Sequence, residues 1–440
     1  MFTRTARSRG WTLLAVLVLG LGALGQETGE VTVWATLDGA PVDVRVVVQG
    51  EDGVVGIFYS PAAVPGIARF SLPVGNYTLS IEHGAGFARG AEVREVTLRA
   101  GEKSEVSVEF PRGFSPAQAW GYYSADLHAH SSASFDGSTP PDELVAVQMA
   151  AGLDLGFLSD HNTGDGHAPF AAAAAQRGFP VILGVELTAF RWHWVAYPVE
   201  AYVPNIDPMV WMGVGSPAGV FAEAREKGAR VIQVAHPYWS GAPYFDALGK
   251  PFFDYGFDLV EIVNGEFDED DQRAIERMFR FWNEGRRYVA VGASDAHHWR
   301  DPAHVYGRPR TYVHVAGELT VEKWLDALAQ GRAFVTSGPL VNLTAQGGVA
   351  RPGDTVTLTA GEEIRLRAEL FVAPREAPRG LALAQVIRNG EVAGEFALGG
   401  KAEATIALTD VPGTSSWYIV RVVATDGDQA WTNPIWVEVK

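Results

Sequence analysis

Histidines and carboxylates stand at the ends of short apolar runs along the middle of this chain. In order they are Asp126-Leu127-His128-Ala129-His130, Asp160-His161, Glu186, His193, His236 and Asp295-Ala296-His297. Imidazole nitrogen and carboxylate oxygen are the usual ligands of zinc, manganese and iron. His128 and His130 are two positions apart, and on an extended segment such residues face the same side, so both rings can reach one ion. Asp160-His161 closes Leu155-Gly156-Phe157-Leu158, where polar groups are costly unless something satisfies them. The plain alternative there is a capping Asp beside a hydrogen-bonded His. Glu186 ends Val181-Ile182-Leu183-Gly184-Val185. Its two oxygens can join two cations, whereas a salt-bridged Glu is the plain alternative. His236 follows Val231-Ile232-Gln233-Val234-Ala235, and Asp295 and His297 follow Val289-Ala290-Val291-Gly292. The same placement recurs at each strand end, and a joint metal site accounts for all of them. His193 lies between Trp192 and Trp194, where aromatic packing competes with ligation. Asp136 sits in a Ser-rich loop and is a turn residue by type. His167, His298 and His304 qualify as ligands by type only.

Such ligands need strand ends facing one side of an α/β unit. The runs Leu153 to Leu158, Val181 to Val185, Val231 to Ala235, Leu259 to Val263 and Tyr288 to Ala293 read as buried strands. Helical stretches fall between them: Pro141 to Ala151, Pro169 to Arg177, Pro217 to Lys227 and Asp268 to Glu284, with a last helix from Val321 to Gln330. This alternation predicts α/β architecture. Ser138 or Thr139 is expected to cap the first helix. On either side the texture turns to short strands and turns, predicting small β-sandwiches. The expected organisation is an export signal over 1–25, a β-sandwich over 27–112, the metal-binding unit over 117–339 and a second β-sandwich over 340–440. Every candidate ligand falls in 117–339, so Glu30 to Pro111 is expected to be dispensable for the chemistry.

A net charge of −17 argues against a nucleic-acid surface, which needs a basic stripe. It leaves anionic substrates open, because metal ions reverse the local field. With no Cys in 440 residues, every metal ligand must be nitrogen or oxygen. Arg4, Arg7 and Arg9 precede an uncharged apolar run, Trp11 to Leu24, and Ala23-Leu24-Gly25 offers small residues for cleavage. The run is shorter than the roughly 20 residues that span a bilayer. Export with cleavage after Gly25, and no stable membrane span afterwards, is expected.

Between Ala125 and Asn162 stand Asp-Leu-His-Ala-His, Phe-Asp-Gly and Ser-Asp-His-Asn; Gly184-Val185-Glu186, Ala235-His236-Pro237 and Ser294-Asp295-Ala296-His297 follow in order. Together, over roughly Trp120 to Pro339, they resemble the polymerase and histidinol phosphatase (PHP) superfamily. Val335-Thr336-Ser337-Gly338-Pro339 and Thr432-Asn433-Pro434-Ile435 are similar to CehA/McbA-type metallohydrolases, a PHP branch with appended β domains. The resemblance implies a distorted seven-stranded β/α barrel carrying two or three divalent ions (zinc, manganese or iron). It implies His128, His130, Asp136, His161, Glu186, His193, His236, Asp295 and His297 as ligands, with Glu186 bridging and Asp160 orienting. Many relatives have Asn where Ala235 stands, so any hydrogen bond from that Asn is absent here.

Clustered metals generate hydroxide from bound water near neutral pH and stabilise charge on the reacting group. No Ser or Cys nucleophile is then required, and Asp160 or Asp295 can shuttle the proton. Arg191, Arg300 and Arg308 can each clamp a phosphate or simply be solvated. Trp192, Trp194, Tyr197, Tyr238, Trp239, Tyr244 and Phe245 suit an organic leaving group or pack the loops. The expected function is an exported metal-dependent hydrolase acting on a small organic substrate, a phosphate ester first. The alternatives are a carbamate, amide or ester hydrolase with the same metals, or a non-catalytic wall- or partner-binding protein.

Overall fold

The structure is a computed structural model that describes residues 27–87, 90–199, 203–302, 304–374 and 379–440. The expected export signal and its cleavage point after Gly25 lie outside the described residues. Among the described residues no helix is long and apolar enough to cross a membrane.

The fold is mixed α/β, with many strands and few helices. The central region holds a five-stranded sheet in the order Val185–Thr188, His193–Tyr197, Val231–Val234, Leu259–Asn264 and Val289–Ala293. The last three strands are parallel to one another, as continuous apolar runs require when both faces are covered. The first pair is antiparallel, with Glu186 opposite Val195 and Thr188 opposite His193. Only Ala189 to Trp192 separates those two strands, too short for a crossover, so a hairpin is the only connection available. This strand at His193 was not foreseen, because its aromatic flanks hid the alternation.

Strands from three sheets enclose one core. Ala125, Phe157, Ile182, Val195, Leu259, Val291 and Val313 are all buried in it. The helix Glu269–Asn283 packs outside, burying Ala274, Ile275, Met278, Phe281 and Trp282 on one stripe. Asp268 and Asp271 close a reciprocal capping box at its start. The helix Pro141–Ala150 has no side-chain cap, contrary to the expectation for Ser138 or Thr139. The Thr139 hydroxyl is instead committed to Tyr306 and to the Trp299 amide.

Before the central region, two four-stranded sheets share an apolar core containing Val31, Val33, Val46, Val48, Leu79 and Ile81. They do not stand apart. Arg177 reaches Asp43 at 2.5 Å, and the Ala62 amide donates to Glu143. Tyr59 lies against Trp299, two residues beyond His297.

At the other end, the expected boundary at 339/340 does not interrupt a sheet. A nine-stranded sheet runs from C-terminal strands through Gln429–Thr432, Ala333–Thr336 and Arg310–His314 to Tyr122–Ala125, the strand that delivers Asp126 and His128. The physical reason is edge pairing: Ala333–Thr336 offers an open edge, and Gln429–Thr432 satisfies it. Asn433 then ties this sheet to the five-stranded one. Its side chain accepts from the Ala290 amide at 2.7 Å and donates to the Ala290 carbonyl at 2.8 Å. Asn433→Ala leaves both buried groups unpaired and should destabilise the protein by about 2–4 kcal/mol. Urea unfolding of the chelator-treated variant and parent measures this; equal midpoints would show that Asn433 is not a tie.

Candidate metal centre

The site is built where two loop segments run side by side. Asp126 fixes them: its carboxylate accepts from the Ser294 amide and hydroxyl at 2.8 and 2.6 Å and from the Gly307 amide at 2.7 Å. The His130 amide then donates to the Ala296 carbonyl, and the Asp295 amide to the His128 carbonyl. This parallel bridge at Ala129 and Ala296 places His128, His130, Asp295 and His297 together. A second parallel bridge joins His161 to Glu186. Asn162 locks it, its side chain pairing with both backbone groups of Thr188. The hairpin brings His193 to the same carboxylate, and His236 arrives from the end of Val231–Val234. Three of these loop residues, Asn162 (φ 49°), His236 (φ 26°) and Asp295 (φ 51°), sit in the left-handed region. Such backbone costs about 1–3 kcal/mol per residue and persists where surrounding structure imposes it.

Glu186 is the centre. It is fully buried. One oxygen lies 2.7 Å from His161 Nδ1, 3.4 Å from His128 Nε2 and 3.5 Å from His130 Nε2. The other lies 2.8 Å from His193 Nδ1 and 3.6 Å from His236 Nε2. Asp295 approaches His128 and His130 at 3.3 and 3.2 Å, and Asp136 approaches His161 and His297 at 3.2 and 3.3 Å. Donor atoms fall into overlapping sets compact enough for an ion: His128-Glu186-His236, His128-His130-Asp295, His161-Glu186-His193 and His130-Asp136-His161-His297. All nine expected ligands belong to them, and Glu186 is shared between two.

The donor atoms themselves show that cations fit. Both Glu186 oxygens, His128 Nε2 and His193 Nδ1, which face one another across the cluster, are buried without a hydrogen-bond partner. Atoms this close, yet not in hydrogen-bonding geometry, are arranged as co-ligands rather than as donor–acceptor pairs. The surrounding charges fix the state of the carboxylates. Burial opposes charge on Glu186, but His161, His193 and His128 outweigh it and hold the carboxyl well below its ordinary range. Burial likewise opposes charge on Asp295, and His128 and His130 reverse it. Burial keeps His130 neutral, its pKa pulled down to about 3. The carboxylates are held as anions, as cation binding requires.

Several of the candidate residues lie away from the cavity. Asp160, expected to shuttle a proton, is buried behind the site, and its oxygens accept from the Ser131 amide and hydroxyl, both at 2.7 Å. It orients the loop that follows His130 and does not line the cavity. Arg308 is committed to Asp428 and the Ser337 carbonyl, and Arg191, Arg300 and Arg308 are all absent from the cavity wall. His167 bonds to the Gly184 carbonyl, away from the ligand sets.

Glu261 was missed. It is buried mid-strand and accepts from His128 Nδ1 at 2.8 Å, Gln233 at 2.6 Å, the His236 amide at 2.7 Å and Asn264 at 2.9 Å. The signal was available: a carboxylate inside the apolar run Leu259-Val260-Glu261-Ile262-Val263 cannot be buried without donors. It fixes the His128 ring so that Nε2 points at the cluster, the usual role of a carboxylate behind a ligating imidazole.

The cluster forms the floor of an open cavity of about 710 Å³. Phe135, Phe190, Trp211 and Trp239 stand in its wall, 83%, 65%, 46% and 49% exposed. Lysine and arginine are absent from the wall among the described residues.

Residues 126–248 match the PHP domain family model. The chain contains a PHP domain. The match takes in His128 through His236; Asp295 and His297 lie beyond it in sequence and join through the parallel bridge. Over 105 residues the chain is 35% identical to a 3′,5′-nucleoside bisphosphate phosphatase of Chromobacterium violaceum, covering 24% of this chain and 36% of that protein. Over 65 residues it is 43% identical to an error-prone DNA polymerase of Nocardia farcinica, covering 14% and 6%. The chain thus spans well under half the length of these curated relatives. A solved amidohydrolase of Chromobacterium violaceum, with bound sulfate and no metal, is 19% identical, with a TM-score of 0.31, covering 48% of this chain and 96% of that one.

Protein purified without chelator should carry at least two equivalents of zinc, manganese or iron by elemental analysis. Glu186→Gln, which keeps shape but loses charge, should lose at least one equivalent while circular dichroism stays unchanged. Glu261→Gln should weaken metal binding by about 10–100-fold. Full occupancy in Glu186→Gln would remove it as the shared ligand.

Proposed function

We propose that this chain is a metal-dependent phosphoesterase that hydrolyses small organic phosphate esters. The observation that carries the reading is the buried Glu186, its oxygens turned to five imidazoles at the floor of an open cavity. When bound there, divalent ions lower the pKa of coordinated water and neutralise charge on the phosphoryl oxygens. The likeness to a bisphosphate phosphatase supports phosphate as the reacting group.

The chain's own residues supply the rest. Glu186 sets the spacing between neighbouring ligand sets. Glu261 holds the His128 ring. Of the two expected proton carriers, only Asp295 borders the cavity. Phe135 and Trp239 flank the ligand rings, Phe135 stacked on His161 at 4.9 Å and Trp239 edge-on to His236 at 5.2 Å. They offer an apolar seat for the leaving group.

The wall without lysine or arginine favours a second reading, in which the substrate is an uncharged ester, carbamate or amide. It also disfavours a second phosphate on the substrate, which would find no guanidinium or ammonium partner. The CehA/McbA-like branch belongs to this proposal: its two motifs are neighbours in space, Phe334 pairing with Thr432 and Val335 with Trp431. Export belongs to it too, and N-terminal sequencing of secreted protein tests it.

With manganese or zinc present, nitrophenyl phosphate should be turned over at least ten times faster than nitrophenyl acetate or a nitrophenyl carbamate, relative to each uncatalysed rate. Chelation should abolish turnover, and added metal should restore it. A reversed preference would establish the second reading. A nucleoside 3′,5′-bisphosphate outrunning every single phosphate ester would contradict the argument from the cavity wall.

A further inference from the structure

Behind the candidate metal cluster, Tyr59 of the N-terminal sheets packs on Trp299, on the loop that carries His297, and Trp299 is in turn bonded to Thr139, next to the loop that carries Asp136. We propose that Tyr59, at the end of the strand Gly53–Tyr59, is a positioning residue for the outermost ligand set, His130-Asp136-His161-His297. The proposal rests on reading the cluster as a metal centre and goes beyond it, giving the N-terminal unit a part in the site.

The chain of contacts is continuous. The Tyr59 ring stacks on Trp299 with centroids 6.1 Å apart and planes 9° apart. The Trp299 amide donates to the Thr139 hydroxyl at 3.0 Å. That hydroxyl bonds the Tyr306 hydroxyl at 2.8 Å, and Tyr306 donates to the His130 carbonyl at 2.7 Å. Ser138, next to Thr139, donates its amide to the His297 carbonyl at 2.9 Å. Thr139 is therefore the node between the loop holding Asp136 and the loop holding His297. Tyr59 and Ala85 complete the apolar cluster beneath both loops, packed with Ala129, Ala296 and Tyr306. The N-terminal unit is anchored elsewhere as well, through Arg177 with Asp43, Glu143 with the Ala62 amide, and the Gly84 amide with the Ala150 carbonyl. It can thus bear on the loops as a fixed body.

Asp136 and His297, which belong to the outer set alone, depend on this support, whereas His128, His236 and Glu186 do not. His128 and His236 are held by Glu261 from within the five-stranded sheet, and Glu186 lies in a strand of that sheet. Asp136 and His297 sit on loops, with side chains 36% and 23% exposed. Loops take their geometry from what packs behind them. The expectation that Glu30 to Pro111 is dispensable is replaced by this role.

The test uses the full chain, stripped of metal and titrated with zinc against a chromophoric chelator. His297→Ala identifies the equivalent that belongs to the outer set. In Tyr59→Ala that same equivalent should bind at least ten-fold more weakly, with the tighter equivalents unchanged, and Tyr59→Phe should restore it. Should Tyr59→Ala fail to fold by circular dichroism, Tyr59→Leu, which keeps apolar volume without a ring face, takes its place with the same expected result. Unchanged affinity for every equivalent, a uniform weakening of all of them, or a Tyr59→Phe variant as impaired as the alanine would each overturn the proposal alone. Wild-type protein that takes up no zinc would overturn the metal-centre reading, and the proposal with it.

Discussion

A carboxylate buried without hydrogen-bond donors is the constraint on which the rest of this molecule depends. Glu186 is fully enclosed, and neither oxygen meets a donor in hydrogen-bonding geometry. Left alone, a group in that state would be strongly destabilising. Five imidazoles facing it on both sides form a cage whose lone pairs and charges make sense around cations. The residues behind the cage follow from the same need. Glu261 turns His128 outward, Asp160 and Asp126 fix the loops, and Asn162 closes the bridge beside Glu186. Each is a polar group with its partners in place, in contrast to the open donor atoms it surrounds.

That contrast divides labour between rigid and adjustable parts. The inner ligands Glu186, His193 and His236 stand in strands or just after one, where ladder hydrogen bonds and apolar neighbours set their positions. The outer ones stand on loops, whose positions are set by Thr139, Tyr306 and Trp299 from one side and by the N-terminal sheets from behind. Strain at His236 and Asp295 is tolerated because both loops are held at several points. The terminal β regions are therefore structural members of the site. Strands near the C-terminus extend the sheet that delivers Asp126 and His128, and Asn433 clamps that sheet to the one carrying Glu186's neighbours.

The wall of the cavity points away from the simplest analogy. A relative that acts on a bisphosphate invites the idea of a cationic clamp, yet Arg308 lies outside the cavity wall, in an ion pair with Asp428. Exposed aromatic side chains line the cavity instead. On the proposed reading, anion recognition falls to cations held by the ligand cluster at the floor, and the remainder of the substrate meets apolar surface.

The sequence by itself determined the ligand types and their places along the chain. Apolar runs closed by His, Asp or Glu survive translation into three dimensions, because a buried strand has to end where its polar residue can find a partner. The same rule marked Glu261, lying inside its run rather than at the end, but end-of-strand reasoning passed over it. Tertiary structure alone decided which ligands share an ion, because His128 and Asp295 are 167 positions apart and meet only through the bridge at Ala129 and Ala296. It also decided that Asp160 faces its own loop, that Arg308 is spent elsewhere, and that the strand at His193 folds back as a hairpin. Local pattern records what a residue must avoid, chiefly unpaired burial. Which partner relieves that burial is a matter of long-range register, and short stretches of sequence do not encode it.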